Sequence, residues 1–323
     1  MPSRRPPEPR LRSGRLSRAG DLQTLFRTRN PAMRNVLDTA ARVLDHDANI
    51  LILGESGSGK DYLAQSIHAC SARRAEPFVH IECASIPADL FETELFGHER
   101  GTFTDAQTRK VGKLEAAGRG TVYFDEVSAL APQLQAKLLR VMQERRFSRL
   151  GGAATLPFEA RVIASSNADT TELLASGALR QDFYYRINVV TLKLPPLRER
   201  PEDITSLAKE FLRRTKFRKF GADAERMLRD HAWPGNVREL RNSIERAALV
   251  EESDRITAAS LPMGVASSLV EIAARGTWTL DELESHYIRE VLRSTRANYS
   301  RAAEILGINR KTLLEKRKKY GIE

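Results

Sequence analysis

The chain of 323 residues contains two cysteines, Cys70 and Cys83, and neither stands in a CxxC or His/Cys spacing. That excludes a disulfide framework and a thiolate zinc site, and it points to a reducing, cytoplasmic location. No apolar run approaches the roughly 18 residues that cross a bilayer. The N-terminus carries arginine and proline where a secretory signal would carry an apolar segment, so neither secretion nor a membrane partner is expected. Acidic residues are in deficit: 42 Asp and Glu against 52 Lys and Arg leave a formal charge of +10. The excess gathers at the two ends, in SRRPPEPRLRSGRLSR and NRKTLLEKRKKYGIE, and suits an anionic partner, nucleic acid first. Apolar residues are plentiful at 41%, with 29% charged, and the length exceeds the ~250 residues at which single cores stop growing. Two or three compact units are expected.

The first chemistry-bearing stretch is NILILGESGSGKDYLAQSIH. A β-rich run, Ile50 to Leu53, turns through glycines and continues with Leu63, Ala64 and Ile67 at helical spacing, which reads as strand, loop, helix. In the loop Gly54-Glu55-Ser56-Gly57-Ser58-Gly59, the glycines let backbone N–H groups face phosphate oxygens while Lys60 neutralises the β and γ charges. Asp61 stands where most such loops place a Ser or Thr ligand for Mg²⁺. Downstream, GTVYFDEV reads as a buried parallel strand ending in two carboxylates. Asp125 is placed to hold Mg²⁺, and Glu126 to orient and deprotonate an attacking water. Together these residues predict an ATPase site.

Paired prolines in LPPLRERPEDI end the α/β core, and Pro201 with acidic neighbours starts a helical lid. In WPGNVREL, Asn236 reads as an N-cap with Arg238 in the first helical turn. The last segment repeats helical periodicity. Leu280, Leu283, Tyr287, Ile288, Val291 and Leu292 form a stripe for a first helix and a dimer partner, and Gly307 closes the short helix SRAAEILG. Asn309 caps a last helix with Leu313 and Leu314 inward. That leaves Arg310, Lys311, Thr312, Glu315 and Lys316 toward base edges and Arg317, Lys318 and Lys319 near phosphates.

With GESGSGK, ELFGHERGTFTDA, GTVYFDEV, ASSN, LRQDFYYRINVVTLKLPPLRER and WPGNVREL in this order, the chain resembles the AAA+ bacterial enhancer-binding proteins over roughly residues 24 to 323. These are activators of RNA polymerase carrying sigma-54. The resemblance implies an α/β P-loop core with a parallel sheet over 24–195, a helical lid over 196–260, a linker over 261–277 and an all-α, Fis-type helix-turn-helix over 278–323, after a basic disordered tail, 1–23. It implies that Ser166 and Asn167 sense the γ-phosphate, that Arg180 and Arg186 reach into a neighbouring subunit of a ring, typically a hexamer, and that Arg238 reads the nucleotide. In this family an acidic residue at position 61 is usual.

Three departures are visible. Only about 23 residues precede the ATPase core, too few for the receiver or GAF domain of many members, so control by a separate regulator protein, by expression level or by DNA is expected. Glu82 stands where the family has an asparagine that restrains the catalytic glutamate, and a second carboxylate there would repel Glu126 or share its proton. The sigma-contact loop, GAFTGA in the family, reads Gly101-Thr102-Phe103-Thr104-Asp105-Ala106. Phe103 and Thr104, the usual contact pair, remain, but Asp105 stiffens the loop and adds charge. Two readings stay open: an ATP-hydrolysing activator that binds DNA and remodels sigma-54 polymerase closed complexes, or a DNA-binding regulator that uses ATP to set its oligomeric state without sigma-54.

Overall fold

The computed structural model describes residues 18–102, 108–167, 170–217, 219–262, 279–295 and 299–322, which form two compact units divided after Leu261. Residues 103–106 of the expected sigma-contact loop lie outside the described residues.

In the first unit a parallel sheet runs in the order β2-β5-β8-β1-β9. Its strands are β1 (Ile50–Leu53), β2 (Phe78–Glu82), β5 (Thr121–Asp125), β8 (Arg161–Ser166) and β9 (Val190–Lys193). The short pairs β3 (Gly97–His98) with β4 (Lys110–Val111), and β6 (Arg146–Ser148) with β7 (Thr155–Pro157), form two hairpin-like ribbons beside it. Alternation along each strand splits the core into two layers. Ile50, Ile52, Tyr123, Ile163 and Leu192 join one layer with helices α1 (Arg18–Phe26), α2 (Pro31–Arg42) and α3 (Lys60–Cys70). Leu51, Val122, Phe124, Val162 and Ala164 join the other. It also takes in α4 (Ala88–Phe96), α5 (Lys113–Ala117), α6 (Pro132–Glu144) and α8 (Gln181–Ile187), with α7 (Thr170–Ala175) packed at its margin. Each large side chain so buried contributes about 1.5–3 kcal/mol.

Local signals explain the helices. Asn30 caps α2 by accepting from the Met33 N–H at 3.1 Å, Pro31 fills its first position, and Met33, Val36, Leu37 and Ala40 make its buried stripe. α1 begins at Arg18, within the segment 1–23 expected as a tail, and Leu22 is completely buried against this layer.

The lid comprises α9 (Pro201–Leu212), α10 (Ala222–Asp230) and α11 (Asn236–Val250). Trp233 is fully buried between α10 and α11, and its indole N–H donates to the Leu228 carbonyl at 2.9 Å.

The second unit contains α12 (Leu280–Ser294), α13 (Tyr299–Ile305) and α14 (Arg310–Lys319) around Ile288, Val291, Leu292, Ala302, Ala303, Leu313 and Ile322. Gly307, at φ +66°, makes the tight turn between α13 and α14. Among the described residues no helix is long and apolar enough to cross a membrane.

Candidate functional site

The carboxyl ends of the parallel strands carry the site, as expected for an open α/β sheet. The loop after β1 takes positive φ at Gly54, Gly57 and Gly59, and α3 begins at Lys60. A side chain at Gly57 would place its Cβ 2.4 Å from the Gly235 carbonyl, so the loop can lie against the lid only with glycine there. Lys60 is buried, and its ammonium donates to the Gly54 and Glu55 carbonyls at 2.8 and 3.2 Å. Burial lowers its affinity for the proton, opposed by the charges of Glu126, Asp125 and Asp61. The Ser58 hydroxyl is buried without a hydrogen-bond partner among the described residues. An unsatisfied hydroxyl, three glycines and an inward lysine fit a phosphate chain.

Asp125 and Glu126 end β5. Alternation puts Tyr123 and Asp125 on the same face, and the register sets His80 beside Tyr123 and Glu82 beside Asp125. Asp125 Oδ1 accepts from the Ser165 hydroxyl at 2.5 Å, and the Tyr123 phenol oxygen, with one hydrogen to give, lies 2.8 Å from Asp61 Oδ1 and 3.0 Å from Asp125 Oδ1. His80 Nε2 lies 3.9 Å from Asp125 Oδ2, close enough for charge but too far for a hydrogen bond. Burial works to raise the Asp125 pKa, yet His80, Ser165 and Tyr123 together outweigh it and hold the carboxyl at about 2. Burial and the neighbouring carboxylates raise the Tyr123 phenol well above its ordinary range. Two carboxylates, Asp61 and Asp125, thus meet at one phenol oxygen beside Lys60. Oxygen-only donors in this number fit a hard cation such as Mg²⁺, which takes one or two carboxylates and completes its shell with phosphate and water. Among the described residues there is no cluster of three or more metal-ligating side chains.

Glu126 sits in the left-handed region, φ +61°, a strained position that turns its carboxylate away from the strand. Its N–H donates to Ser165, and its Oε1 accepts from the Ser128 hydroxyl at 2.6 Å and the Asn167 N–H at 3.0 Å. Asn167 therefore meets the glutamate through its backbone, while Ser166 is buried at the end of β8. Glu82 stands at the carboxyl end of β2. Its carboxylate makes no hydrogen bond or ion pair among the described residues, and its strand register places it beside Asp125.

The lid closes over the loop. Arg238 donates to the Ser56 hydroxyl at 2.9 Å, and the Val237 and Arg238 N–H groups both point at the Gly57 carbonyl, at 3.0 and 3.3 Å. Asn236 is not the N-cap; Gly235 precedes the helix, and Asn236 is its first residue, at φ +55°. Its amide instead ties three segments together. It accepts from the Leu197 N–H at 2.7 Å and donates to Glu55 Oε2 and the Ser56 carbonyl at 3.0 and 3.1 Å. Glu55 also receives Arg198 at 2.6 and 2.8 Å, the main reason its carboxyl titrates below the ordinary range.

Arg180 stands just before α8 and Arg186 in its last turn, and among the described residues neither makes a hydrogen bond or ion pair with this chain's own phosphate loop. Arg180 is bonded to Asp182 at 2.7 and 3.1 Å, and Arg186 donates to the Met142 carbonyl at 2.7 Å.

In the second unit Asn309 caps α14 by accepting from the Thr312 N–H at 2.8 Å, so both side chains serve the helix start. Leu313 is buried, but Leu314 is 42% exposed and does not face inward. The expected basic set divides. Lys316 pairs with Glu284 at 2.8 Å, Lys319 with Asp281 at 3.0 Å, and Arg317 donates to Tyr299 Oη and the Ile322 carbonyl at 2.8 and 2.9 Å. These contacts join α14 to α12 and α13. Arg310, Lys311 and Lys318 are exposed and make no side-chain ion pair or hydrogen bond among the described residues. The α12 stripe also divides: Ile288, Val291 and Leu292 are buried, whereas Leu280 is 84% and Tyr287 46% exposed.

Tyr123, Ser165, His80 and the bridging role of Asn236 escape a reading by motif. A signal for Tyr123 existed in its place on a buried strand two residues before Asp125, where a phenol hydroxyl needs a partner.

Residues 26–193 match the sigma-54 interaction domain, 198–274 the AAA+ ATPase lid domain and 279–320 the Fis family of bacterial regulatory proteins. The chain is 40% identical to the transcriptional regulatory protein FlbD of Caulobacter vibrioides over 338 aligned positions, covering 98% of this chain and 74% of FlbD. It is 44% identical to the alginate biosynthesis regulator AlgB of Pseudomonas aeruginosa, covering 91% of this chain and 67% of AlgB. Among solved structures, NtrX of Brucella abortus in complex with ATP aligns with a TM-score of 0.67 at 35% identity, over 91% of this chain and 69% of that one.

Proposed function

The chain belongs to the sigma-54-dependent transcriptional activators, with an AAA+ core and lid and a Fis-type DNA-binding end, and on that premise we propose that it hydrolyses ATP to remodel sigma-54 polymerase closed complexes. The observation that carries this reading is the convergence of Lys60, Asp61, Asp125, Glu126 and the lid's Arg238 around one glycine loop. Gly54, Glu55, Ser56, Gly57, Ser58 and Gly59 wrap the phosphates of ATP, and Lys60 exchanges its carbonyl partners for β and γ oxygens. Glu126 takes a proton from the attacking water as its oxygen bonds to the γ-phosphorus and the bond to the ADP oxygen breaks. Asp125 and Asp61 would hold a magnesium ion, which neutralises charge on the phosphate oxygens when bound. The Asn167 N–H and the Ser128 hydroxyl keep the Glu126 carboxylate oriented.

Among the described residues Arg180 and Arg186 make no hydrogen bond or ion pair with their own phosphate site, which supports action on a neighbouring subunit in a ring, typically a hexamer. Arg310, Lys311 and Lys318 supply the free positive charge for DNA at the exposed side of α14. Glu126→Gln should retain ADP binding and lose hydrolysis by about 10²–10⁴-fold. Open-complex formation at a sigma-54 promoter should require both ATP hydrolysis and Thr104. Activation that survives Thr104→Ala would instead favour the regulator that uses ATP for oligomerisation alone, a reading that the Asp105 and Thr102 departures support.

A further inference from the structure

Tyr123 carries the only hydroxyl on β5 that meets two carboxylates, and the hydrogens around it can be assigned. Ser165 Oγ accepts the Glu126 N–H, so its own hydrogen is free for Asp125 Oδ1, 2.5 Å away. Asp125 therefore has a donor without the phenol. Asp61 does not: among the described residues the Tyr123 hydroxyl, at 2.8 Å, is the one hydrogen-bond donor to its carboxylate. The single phenol hydrogen goes to Asp61, and the 3.0 Å approach to Asp125 sets the two anionic groups around one oxygen. The phenol has little freedom to follow them. Tyr123 is fully buried, and its ring stacks on His80 and Phe78 at centroid distances of 5.0 and 6.1 Å. The oxygen is thus fixed by the sheet, and Asp61, on the first turn of α3, is fixed by the oxygen.

We propose that Tyr123 is a positioning residue that holds Asp61 against Asp125 through its hydroxyl, and so sets the affinity of the nucleotide site for its divalent cation. This rests on the reading of Asp61 and Asp125 as the pair that holds magnesium. A phenylalanine would keep both ring contacts and the buried volume, but it would release Asp61 to turn away from the like charge of Asp125.

The test uses the full chain and a fluorescent ADP analogue, titrated in EDTA and then at rising Mg²⁺. Tyr123→Phe should leave metal-free ADP affinity within about twofold of the parent, the scatter of uncoupled sites. It should raise the Mg²⁺ concentration at half-effect by about 10-fold or more, as loss of a partner behind a metal carboxylate does. Asp61→Asn should do the same, and the double variant should add nothing to either single change. Unfolding midpoints measured alongside separate a general loss of fold from this local effect. If Asp61→Asn or Asp125→Asn shifts the Mg²⁺ dependence while Tyr123→Phe does not, the positioning role is wrong and the metal reading stands. If none of the three shifts it, the metal reading itself is wrong. Equal losses of metal-free and Mg²⁺-dependent ADP binding in Tyr123→Phe would also overturn the proposal, because the hydroxyl would then serve the fold and not the carboxylate pair.

Discussion

Replacing Asn236 with alanine should loosen the lid from the phosphate loop. The side chain is fully buried and makes three hydrogen bonds to segments far away in sequence. Its loss strands the Leu197 N–H in the interior, which costs about 1–3 kcal/mol. Alanine must also adopt φ +55°, a left-handed conformation about 1–2 kcal/mol worse for it than the right-handed one. The bonds to Glu55 and the Ser56 carbonyl are nearer solvent and add less, giving a total of about 3 kcal/mol. Glycine at the same position removes the same bonds without the backbone strain, so Asn236→Gly should be about 1 kcal/mol less damaging than Asn236→Ala. Urea unfolding followed by tryptophan fluorescence measures both, with Trp233, buried beside α11, as a local reporter. ADP affinity should fall in parallel, because Arg238 shares the same helical turn and contacts Ser56. An alanine variant within about 0.5 kcal/mol of the parent, the range of an ordinary surface change, would refute the clamp. Equal effects of alanine and glycine would refute the strain component.

Further outcomes follow from the same geometry. The folded Asp125 pKa of about 2 lies below the ordinary value near 3.9, so its interactions stabilise the native state by about 2 kcal/mol above pH 4 and lose that contribution as pH falls to about 2. Acid unfolding of Asp125→Asn should accordingly be flatter across that window, and a profile parallel to the parent's would contradict the assignment. Arg186→Ala should lower ATP turnover by about 10³-fold or more. Mixing that variant with Glu126→Gln should restore part of the activity, because some sites in a mixed ring would receive one intact residue from each subunit. Arg310→Ala and Lys311→Ala should each reduce the salt slope of DNA binding by about 1, whereas Lys316→Ala, already committed to Glu284, should leave it nearly unchanged.

The legible parts of the sequence are those whose chemistry is local. Gly54 to Asp61 are contiguous, and a strand followed by glycines and a lysine has few structural solutions, so the phosphate loop is read from spacing alone. The Asp125-Glu126 pair marks its strand end for the same reason, and Asn309 announces its cap because the bonded Thr312 is only three residues away. The site's internal wiring is different. Tyr123 meets Asp61 across 62 positions, and Asn236 meets Glu55 across 181, distances over which no periodicity or cap rule operates. The residue type of Asn236 favours an N-cap, but buried partners in two other segments decide otherwise. Lys316 and Arg317 read as DNA contacts by charge, and their contacts to Glu284 and Tyr299 on other helices could not be read from that charge.

The first residues of the segment expected to contact sigma-54 show how a substitution can be absorbed at one end of a segment. Thr102, where the family has alanine, donates its hydroxyl toward the Glu99 and Leu150 carbonyls, at 2.6 and 3.0 Å. Gly151 lies directly against it, where an added Cβ would come within 2.5 Å of the Thr102 hydroxyl. Glu99 and Leu150 are themselves joined by a backbone bond of 3.0 Å, and Arg149 pairs with both Glu99 and Glu115 at 2.7 Å. Thr102 therefore fastens the start of the loop to the turn after β6 through a bond that alanine cannot make. Thr102→Ala should free that junction while leaving the Arg149 ion pairs in place, and Gly151→Ala should disturb it by crowding the threonine. If both substitutions change amide exchange at Leu150 and Gly151 without altering ADP binding, the anchor is separable from the phosphate site. Unchanged exchange in both would mean that the β3 and β6 segments alone hold the loop base, with the Thr102 hydroxyl contributing nothing.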